Sequence, residues 1–325
     1  MNIISRRLML ALGSVLLATA GSARAADDFP SHPVKILVGY SAGGAVDAIA
    51  RTVGQQMAQT LGQPVVIENK PGAATNIAVK AMIGSTPDGY TLMLAANALS
   101  VNPSLFQPAP YDLARDITPV AQVGRVPVVF AVRAESPIAN LQAMVAAAKS
   151  KPGGVTVATP GNGATPHLAM ELFQRTAGVQ LRHVPYKGGA QAITDVIGGH
   201  VDVVAVNALE VLPLVKGGKL RVLAVMSPER TPVLEGVPTV AESGYPGFEA
   251  SVWYGFIAPA GTPQPVVDKL HAAVQKALAS HEVQQQLASA GGIALPGPTS
   301  QFAQLLESEA ARYGKLIREA NIHAD

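Results

Sequence analysis

A serine held between glycines, in a turn joining two apolar runs, is the first feature of this chain that suggests chemistry. Gly39-Tyr40-Ser41-Ala42-Gly43 reads G-x-S-x-G, the spacing that lifts a nucleophilic serine onto a sharp strand-to-helix turn in an α/β-hydrolase. Such an elbow needs an oxyanion-hole loop from an earlier strand, yet only about a dozen residues separate it from an export signal at residues 1–26. His271, His281 and His323 follow downstream, each in a helical or terminal run rather than on a loop that presents an imidazole. A secreted serine esterase using Ser41 is therefore the alternative. The expectation is a non-enzymatic binding turn with no catalytic residue.

A binding turn explains more of the pattern because the arrangement occurs twice. Residues 34–38 form an apolar strand, residues 46–61 an amphipathic helix, and Tyr40, Ser41, Ala42, Gly43 and Gly44 lie between them. More than a hundred residues later, strand 155–158 runs into Pro160-Gly161-Asn162-Gly163-Ala164-Thr165 and helix 166–177. Glycine lets a backbone approach a ligand closely. A helix start turns unpaired N–H groups and the positive end of its dipole toward that ligand. Two such turns in two halves predict an anion, chemically a carboxylate, gripped between two lobes. Asn162 and Thr165 add side-chain donors, and Pro166 suits an early helical position.

Other polar residues are weaker candidates. Asn97 and Asn207, with Val206 beside the latter, end strands on the side where α/β sheets place ligands, and all three are expected at the pocket. Asp47 reads as a first-turn acid favourable to its helix dipole. His167 reads as a first-turn histidine bonded to backbone, and His183 as structural. Residues 69–76 end a strand and begin a helix, either as cleft floor or as a cap with a tight turn. The second glycine turn fails the dinucleotide pattern and no Walker sequence occurs, so no cofactor is implied. No His/Asp/Glu cluster has metal-ligand spacing, and no carboxylate pair suggests acid–base work.

These turns need strands and helices in alternation to position them. Strands are expected at 64–68, 90–95, 119–132, 155–158, 181–184, 201–206, 221–226 and 250–258. Helices are expected at 77–83, 138–149, 166–177, 189–197 and 208–216. Three more, at 263–279, 282–290 and 299–320, form a C-terminal block without strands that packs back on the first sheet. Alternation of this kind means α/β, with mostly parallel sheets flanked by helices. Two crossings, near 118–132 and 227–255, give lobe 1 as 27–125 with 250–325 and lobe 2 as 126–249, hinged between.

Bulk properties agree with an exported binding protein. Arg6 and Arg7, the apolar run 8–20 and Ala23-Arg24-Ala25 form a cleavable signal, too short and wrongly flanked for an anchor. Ser5-Arg6-Arg7 also resembles a twin-arginine motif, though an ordinary secretory signal explains it. Losing Arg6, Arg7 and Arg24 takes 24 basic residues to 21 against 22 acidic ones, so the chain carries no charge suited to nucleic acid. There is no cysteine, hence no disulfide and no thiolate site. The 325 residues exceed one typical core, and 48% apolar with 14% charged suits buried parallel sheets.

Phe29-Pro30-Ser31-His32-Pro33-Val34, Ser41-Ala42-Gly43-Gly44-Ala45-Val46-Asp47, Glu68-Asn69-Lys70-Pro71-Gly72 and Pro87-Asp88-Gly89-Tyr90-Thr91-Leu92 come in that order. Asn102-Pro103-Ser104-Leu105, Gly161-Asn162-Gly163, His183-Val184-Pro185-Tyr186-Lys187-Gly188 and Val237-Pro238-Thr239-Val240-Ala241-Glu242 complete a series covering the mature chain. The series resembles the periplasmic receptors of tripartite tricarboxylate transporters, the Bug family. The resemblance implies a two-lobe, type II periplasmic-binding-protein fold. It also implies a monomer that closes on a small carboxylate and delivers it to membrane transporter subunits. It implies that Tyr40 to Gly44 hold one carboxylate through backbone groups and ordered waters, and that Gly161 to Thr165 grip from the other lobe. Two departures matter. Members that bind amino acids or nicotinate-like ligands often carry aspartate where Val206 stands, so a ligand without an ammonium group is expected. The family's usual proline-phenylalanine is Gly39-Tyr40 here, which adds a hydroxyl to the cleft wall. A histidine-kinase sensor subunit is a further alternative, and citrate, a C4–C6 diacid or an aromatic acid such as terephthalate all stay open as ligands.

Overall fold

Val34, Ile36, Leu37 and Val38 are all buried, which makes β1 (Val34–Val38) an inner strand covered on both faces. The computed structural model describes residues 29–186 and 188–323; the export signal lies outside the described residues. α1 (Ala45–Leu61) presents Val46, Ile49, Ala50, Val53 and Met57 as its buried stripe and ends at Gly62 in the left-handed region. β2 (Val65–Asn69), α2 (Asn76–Ile83), β3 (Thr91–Ala96), α3 (Ala98–Leu105) and a single turn, α4 (Leu113–Asp116), follow. Next come β4 (Ile117–Arg133), α5 (Leu141–Ser150), β5 (Thr156–Thr159), α6 (Thr165–Ala177), β6 (Arg182–Pro185), α7 (Gly189–Ile197), β7 (Val203–Asn207), α8 (Ala208–Lys216) and β8 (Leu220–Val225). β9 (Ser251–Pro259), α9 (Gln264–Leu278), α10 (His281–Ser289), β10 (Ile293–Ala294) and α11 (Thr299–Ala320) close the chain.

The strands form two mixed sheets that share β4. The first runs β2-β1-β3-β9-β4 with β10 on β4; the second runs β6-β5-β7-β4 with β8 on β4. β1 is parallel to β2 and β3, and β5 is parallel to β6 and β7. β4 and β9 run antiparallel to every neighbour, as strands crossing between lobes do. β4 pairs with β9 from Ile117 to Pro127 and with β7 from Val128, so one 17-residue strand serves both halves. The return passes through Met226, whose N–H meets Val128 O and whose carbonyl accepts from Ala250 N.

The C-terminal block packs on the first sheet, with α9 against α1 and α11 against α3. It is not strandless, however. Ile293 and Ala294 pair with Arg125 and Gly124 of β4, a two-residue bridge too short for any periodicity to reveal. α3 also escaped the sequence reading, because Asn102 and Pro103 inside it look like a turn.

Candidate ligand-binding cleft

A cavity of about 400 Å³ opens between the two sheets, at the carboxyl ends of their strands. Four helices begin on it: α1 through Ala45 and Val46, α3 through Ala98, α6 through Ala164 to Pro166, and α8 through Asn207 and Glu210. Among the described residues its wall contains no lysine, arginine or histidine. Helix starts and their backbone N–H groups contribute a positive field there.

Of the residues expected at the site, Tyr40, Gly161, Asn162, Gly163, Ala164, Thr165 and Asn207 line this cavity. Ser41, Ala42, Gly43 and Gly44 sit in the exposed turn just before α1, at its rim rather than in its wall. Gly43 N–H donates to Asp47 Oδ2 at 2.9 Å, so that donor holds the turn itself. Asp47 is buried and also accepts from Arg51 Nε at 3.0 Å and Asn69 Nδ2 at 2.9 Å. The Arg51 hydrogen bond leads the causes that lower its pKa to about 2, against the opposing effect of burial. The second turn is braced similarly. Gly163 N–H donates to His167 Nδ1 at 3.0 Å, and the His167 ring stacks on His183 at 3.9 Å between centroids. His183 Nε2 lies 2.6 Å from Thr159 Oγ1, which accepts from Gly161 N. Both histidines are thus turn supports. The cleft receives the starts of α1 and α6, where helix geometry leaves N–H groups without intrahelical acceptors.

The expectation for Asn97 is corrected. It is buried, and its Nδ2 donates to Ser251 O and Glu309 Oε2, both at 3.1 Å, while its Oδ1 accepts from Trp253 N at 3.0 Å. It ties β3 to β9 and α11 and does not line the cavity. Val206 is corrected too. It is fully buried in a core with Val129, Ala131 and Ala158. Side chains alternate along a strand, so when Asn207 faces the cavity Val206 faces away. Residue 206 therefore has no bearing on whether an ammonium group fits.

The acidic group at the wall is Glu210, which periodicity could have placed: it lies three residues after Asn207, at the start of an amphipathic helix. Burial pushes its carboxyl above the usual carboxylate range, opposed by a hydrogen bond from Asn207 N–H. Burial also pushes the half-buried Tyr40 hydroxyl up to about 12, so it stays a neutral donor.

The cleft floor is strained. Ala73, Ala74 and Thr75 have φ of 46°, 50° and 76°, three successive non-glycine residues in the left-handed region. Ala74 and Thr75 line the cavity. Asn102 Nδ2 pins the turn, donating to Ala74 O at 2.7 Å and Asn76 Oδ1 at 2.8 Å. Gly39 is required here by space: a Cβ would lie 2.7 Å from Thr75 Cβ. Each left-handed residue costs about 1–2 kcal/mol, and such strain concentrates at functional sites. Both readings left open for residues 69–76 hold at once: Ala73–Thr75 is a tight turn ending in the N-cap of α2, and Ala74 and Thr75 line the cavity.

A larger cavity, about 600 Å³, lies behind β9 and contains none of the expected residues. Strand alternation separates the two: Ser251 and Trp253 face the rear cavity, Val252 and Tyr254 the cleft. Arg125 with Glu249 and Arg312 with Glu309 are already ion-paired in the rear cavity.

Comparison with known proteins identifies the architecture. Residues 49–322 match the model of the tripartite tricarboxylate transporter family receptor. The chain belongs to that receptor family. Over 315 residues the receptor is 36% identical to protein BugT of Bordetella pertussis, covering 96% of this chain and 97% of that one. MatC of Rhodopseudomonas palustris, solved with bound malate, superposes with TM-score 0.75 at 32% identity over 89% of this chain and all of MatC. An R. palustris protein solved with adipate gives TM-score 0.78 at 32% identity over 91% of this chain and 99% of its own. The receptor thus has the two-lobe α/β fold of periplasmic solute-binding proteins. No helix among its described residues is long and apolar enough to cross a membrane.

Proposed function

We propose that this receptor captures a small organic mono- or dicarboxylate in the periplasm and delivers it to a tripartite tricarboxylate-type membrane transporter. Residues 27–125 with 250–325 and residues 126–249 act as the two closing lobes, and residues 1–26 direct export. One observation carries the reading: helix starts from both halves meet at one cavity whose described wall has no cationic side chain. An anion is the guest that the starts of α1, α3 and α6 favour. The malate and adipate held by two relatives are carboxylates and fit the same reading.

The magnitudes are adequate. Micromolar affinity requires about 8 kcal/mol. Charge-assisted hydrogen bonds supply about 1.5–3 kcal/mol each, so a handful from the α1 and α6 starts and the tyrosine hydroxyls suffices. Closure supplies the signal, since a transporter that prefers the liganded shape reads a population shift. Ser41 lies exposed in the turn, while His271 Nε2 is bonded to Gly297 O and His323 Nε2 to Asn321 Oδ1. Acyl transfer through Ser41 draws no support from that arrangement.

Isothermal titration of the mature chain against C3–C8 aliphatic and aromatic carboxylates tests the reading. Micromolar or tighter binding of at least one acid is expected, with no nitrophenyl-ester hydrolysis. Failure of every carboxylate, or hydrolysis abolished by Ser41→Ala, overturns it.

A further inference from the structure

We propose that Glu210 and Asn207 make the cleft selective for aliphatic carboxylates that carry a hydrogen-bond donor, a hydroxyl or an ammonium, on the carbon skeleton. The proposal rests on reading the cleft as a carboxylate site and specifies what else its guest must offer.

Both residues stand at the start of α8 and line the cavity, and both also line an adjoining chamber of about 310 Å³. The Glu210 carboxylate is an acceptor, and the Asn207 amide carries an acceptor, Oδ1, beside its Nδ2 donor. Asn207 Oδ1 is buried without a hydrogen-bond partner among the described residues. The Glu210 carboxyl is held in place: it accepts from Asn207 N–H and packs so closely on Gly189 that a Cβ there would lie 1.7 Å from Oε2. Glycine at 189 is thus what makes room for the carboxyl. The opposite walls, at the starts of α1 and α6, offer donors. A guest spanning the cleft therefore needs an anionic end toward those helices and a donor toward α8.

Guests without the donor fare worse for a stated reason. A methylene opposite α8 leaves a buried acceptor unpaired, and a second carboxylate there meets a like charge. A hydroxyl satisfies one acceptor, and an ammonium satisfies both while pairing with the carboxyl. Discrimination of this polar kind is large, because a site built to hydrogen-bond a group leaves its own atoms unpaired when that group is missing.

The competing role for Glu210 is capping. At the third position of α8, its carboxyl reaches back to the N-cap N–H, an arrangement that glutamine supports equally well. Glu210→Gln therefore keeps the cap and the volume while removing the charge and one acceptor oxygen. The experiment is calorimetric titration of the mature receptor and of E210Q with two matched series: succinate, malate, aspartate, and adipate, 2-hydroxyadipate, 2-aminoadipate. In wild type, the hydroxy or amino acid of at least one series is expected to bind at least tenfold more tightly than its unsubstituted parent. In E210Q that advantage falls below threefold, with the melting temperature nearly unchanged. Malate ahead of aspartate identifies a hydroxyl, and the reverse an ammonium. Parents that bind as well as their substituted partners overturn the proposal, as does a ranking unchanged in E210Q or a donor-free acid that outbinds all six. Failure of every carboxylate overturns the underlying reading instead.

Discussion

Gly39 and Thr75 show how a single missing carbon shapes this site. Gly39 has an ordinary backbone, so its replacement matters only because a Cβ would meet Thr75 at 2.7 Å. Gly39→Ala is expected to cost about 1–3 kcal/mol, the usual range for overpacking, and to weaken carboxylate binding by displacing the cleft floor. Thr75→Gly removes the opposing Cβ and suits the left-handed φ of 76°. The double variant should regain most of the stability lost by Gly39→Ala, measured as a coupling in denaturant unfolding; simple additivity would exclude the contact as the cause. Asp47 gives a pH signature. Its folded pKa of about 2 lies below the ordinary 3.8, so it contributes stability above pH 3.8 that is lost as pH falls through 2. Asp47→Asn should therefore melt at a lower temperature than wild type at pH 7, with the gap closing between about pH 4 and 2. A gap that persists at pH 2 would contradict this assignment.

At the scale of elements, the cleft is built where helices start and strands end, and the residues that fix those ends are separable from those facing the guest. Asn97 belongs to the first kind. It joins β3, β9 and α11 through three hydrogen bonds at 3.0–3.1 Å and lies outside the cavity wall. Asn97→Ala leaves buried partners unpaired and should cost about 2–4 kcal/mol, while affinity for the best carboxylate, measured well below the melting temperature, changes less than about threefold. A large loss of affinity in a stably folded variant would return Asn97 to the binding surface. The glycine turn after β5 is similar: its His167 and His183 stack brace the backbone that carries Ala164 and Thr165 to the cavity.

At the scale of the whole molecule, helices from the two sheets also meet away from the cleft. Leu168 of α6 is fully buried against Val101 and Leu105 of α3 and Tyr313, Leu316 and Ile317 of α11, so one apolar cluster bridges elements of both halves. Arg175 and Glu319 pair at 2.6 Å along the same boundary, partly exposed and therefore worth little by themselves. Leu168→Ala should cost about 2–4 kcal/mol of stability, and the part of that cost specific to the closed shape should appear as weaker binding. Small-angle scattering is the check: the ligand-free variant should be more extended than wild type and compact less completely at a given carboxylate concentration. Identical scattering from both would separate this cluster from closure.

Much of this arrangement was legible in the linear chain because it is local. Strand 155–158 and helix 166–177, read from periodicity, appear as Thr156–Thr159 and Thr165–Ala177, since alternation and turn chemistry act over a few neighbouring residues. The two glycine turns were identifiable for the same reason. Whether a residue beside such a turn faces the guest was not, because strand phase and partner contacts settle it. Val206 and Asn207 are adjacent, yet one is core and the other wall. Ala74 and Thr75 enter the floor only because Asn102, 28 residues from Ala74, pins them in a conformation alanine and threonine avoid on their own. Asn97 needed Glu309, 212 residues away, before its structural task could be known. The sequence by itself determined most of the elements and the two glycine turns, which depend on short-range backbone preferences. Only tertiary structure decided which side chains meet across the cleft, because that depends on long-range packing which no local pattern encodes.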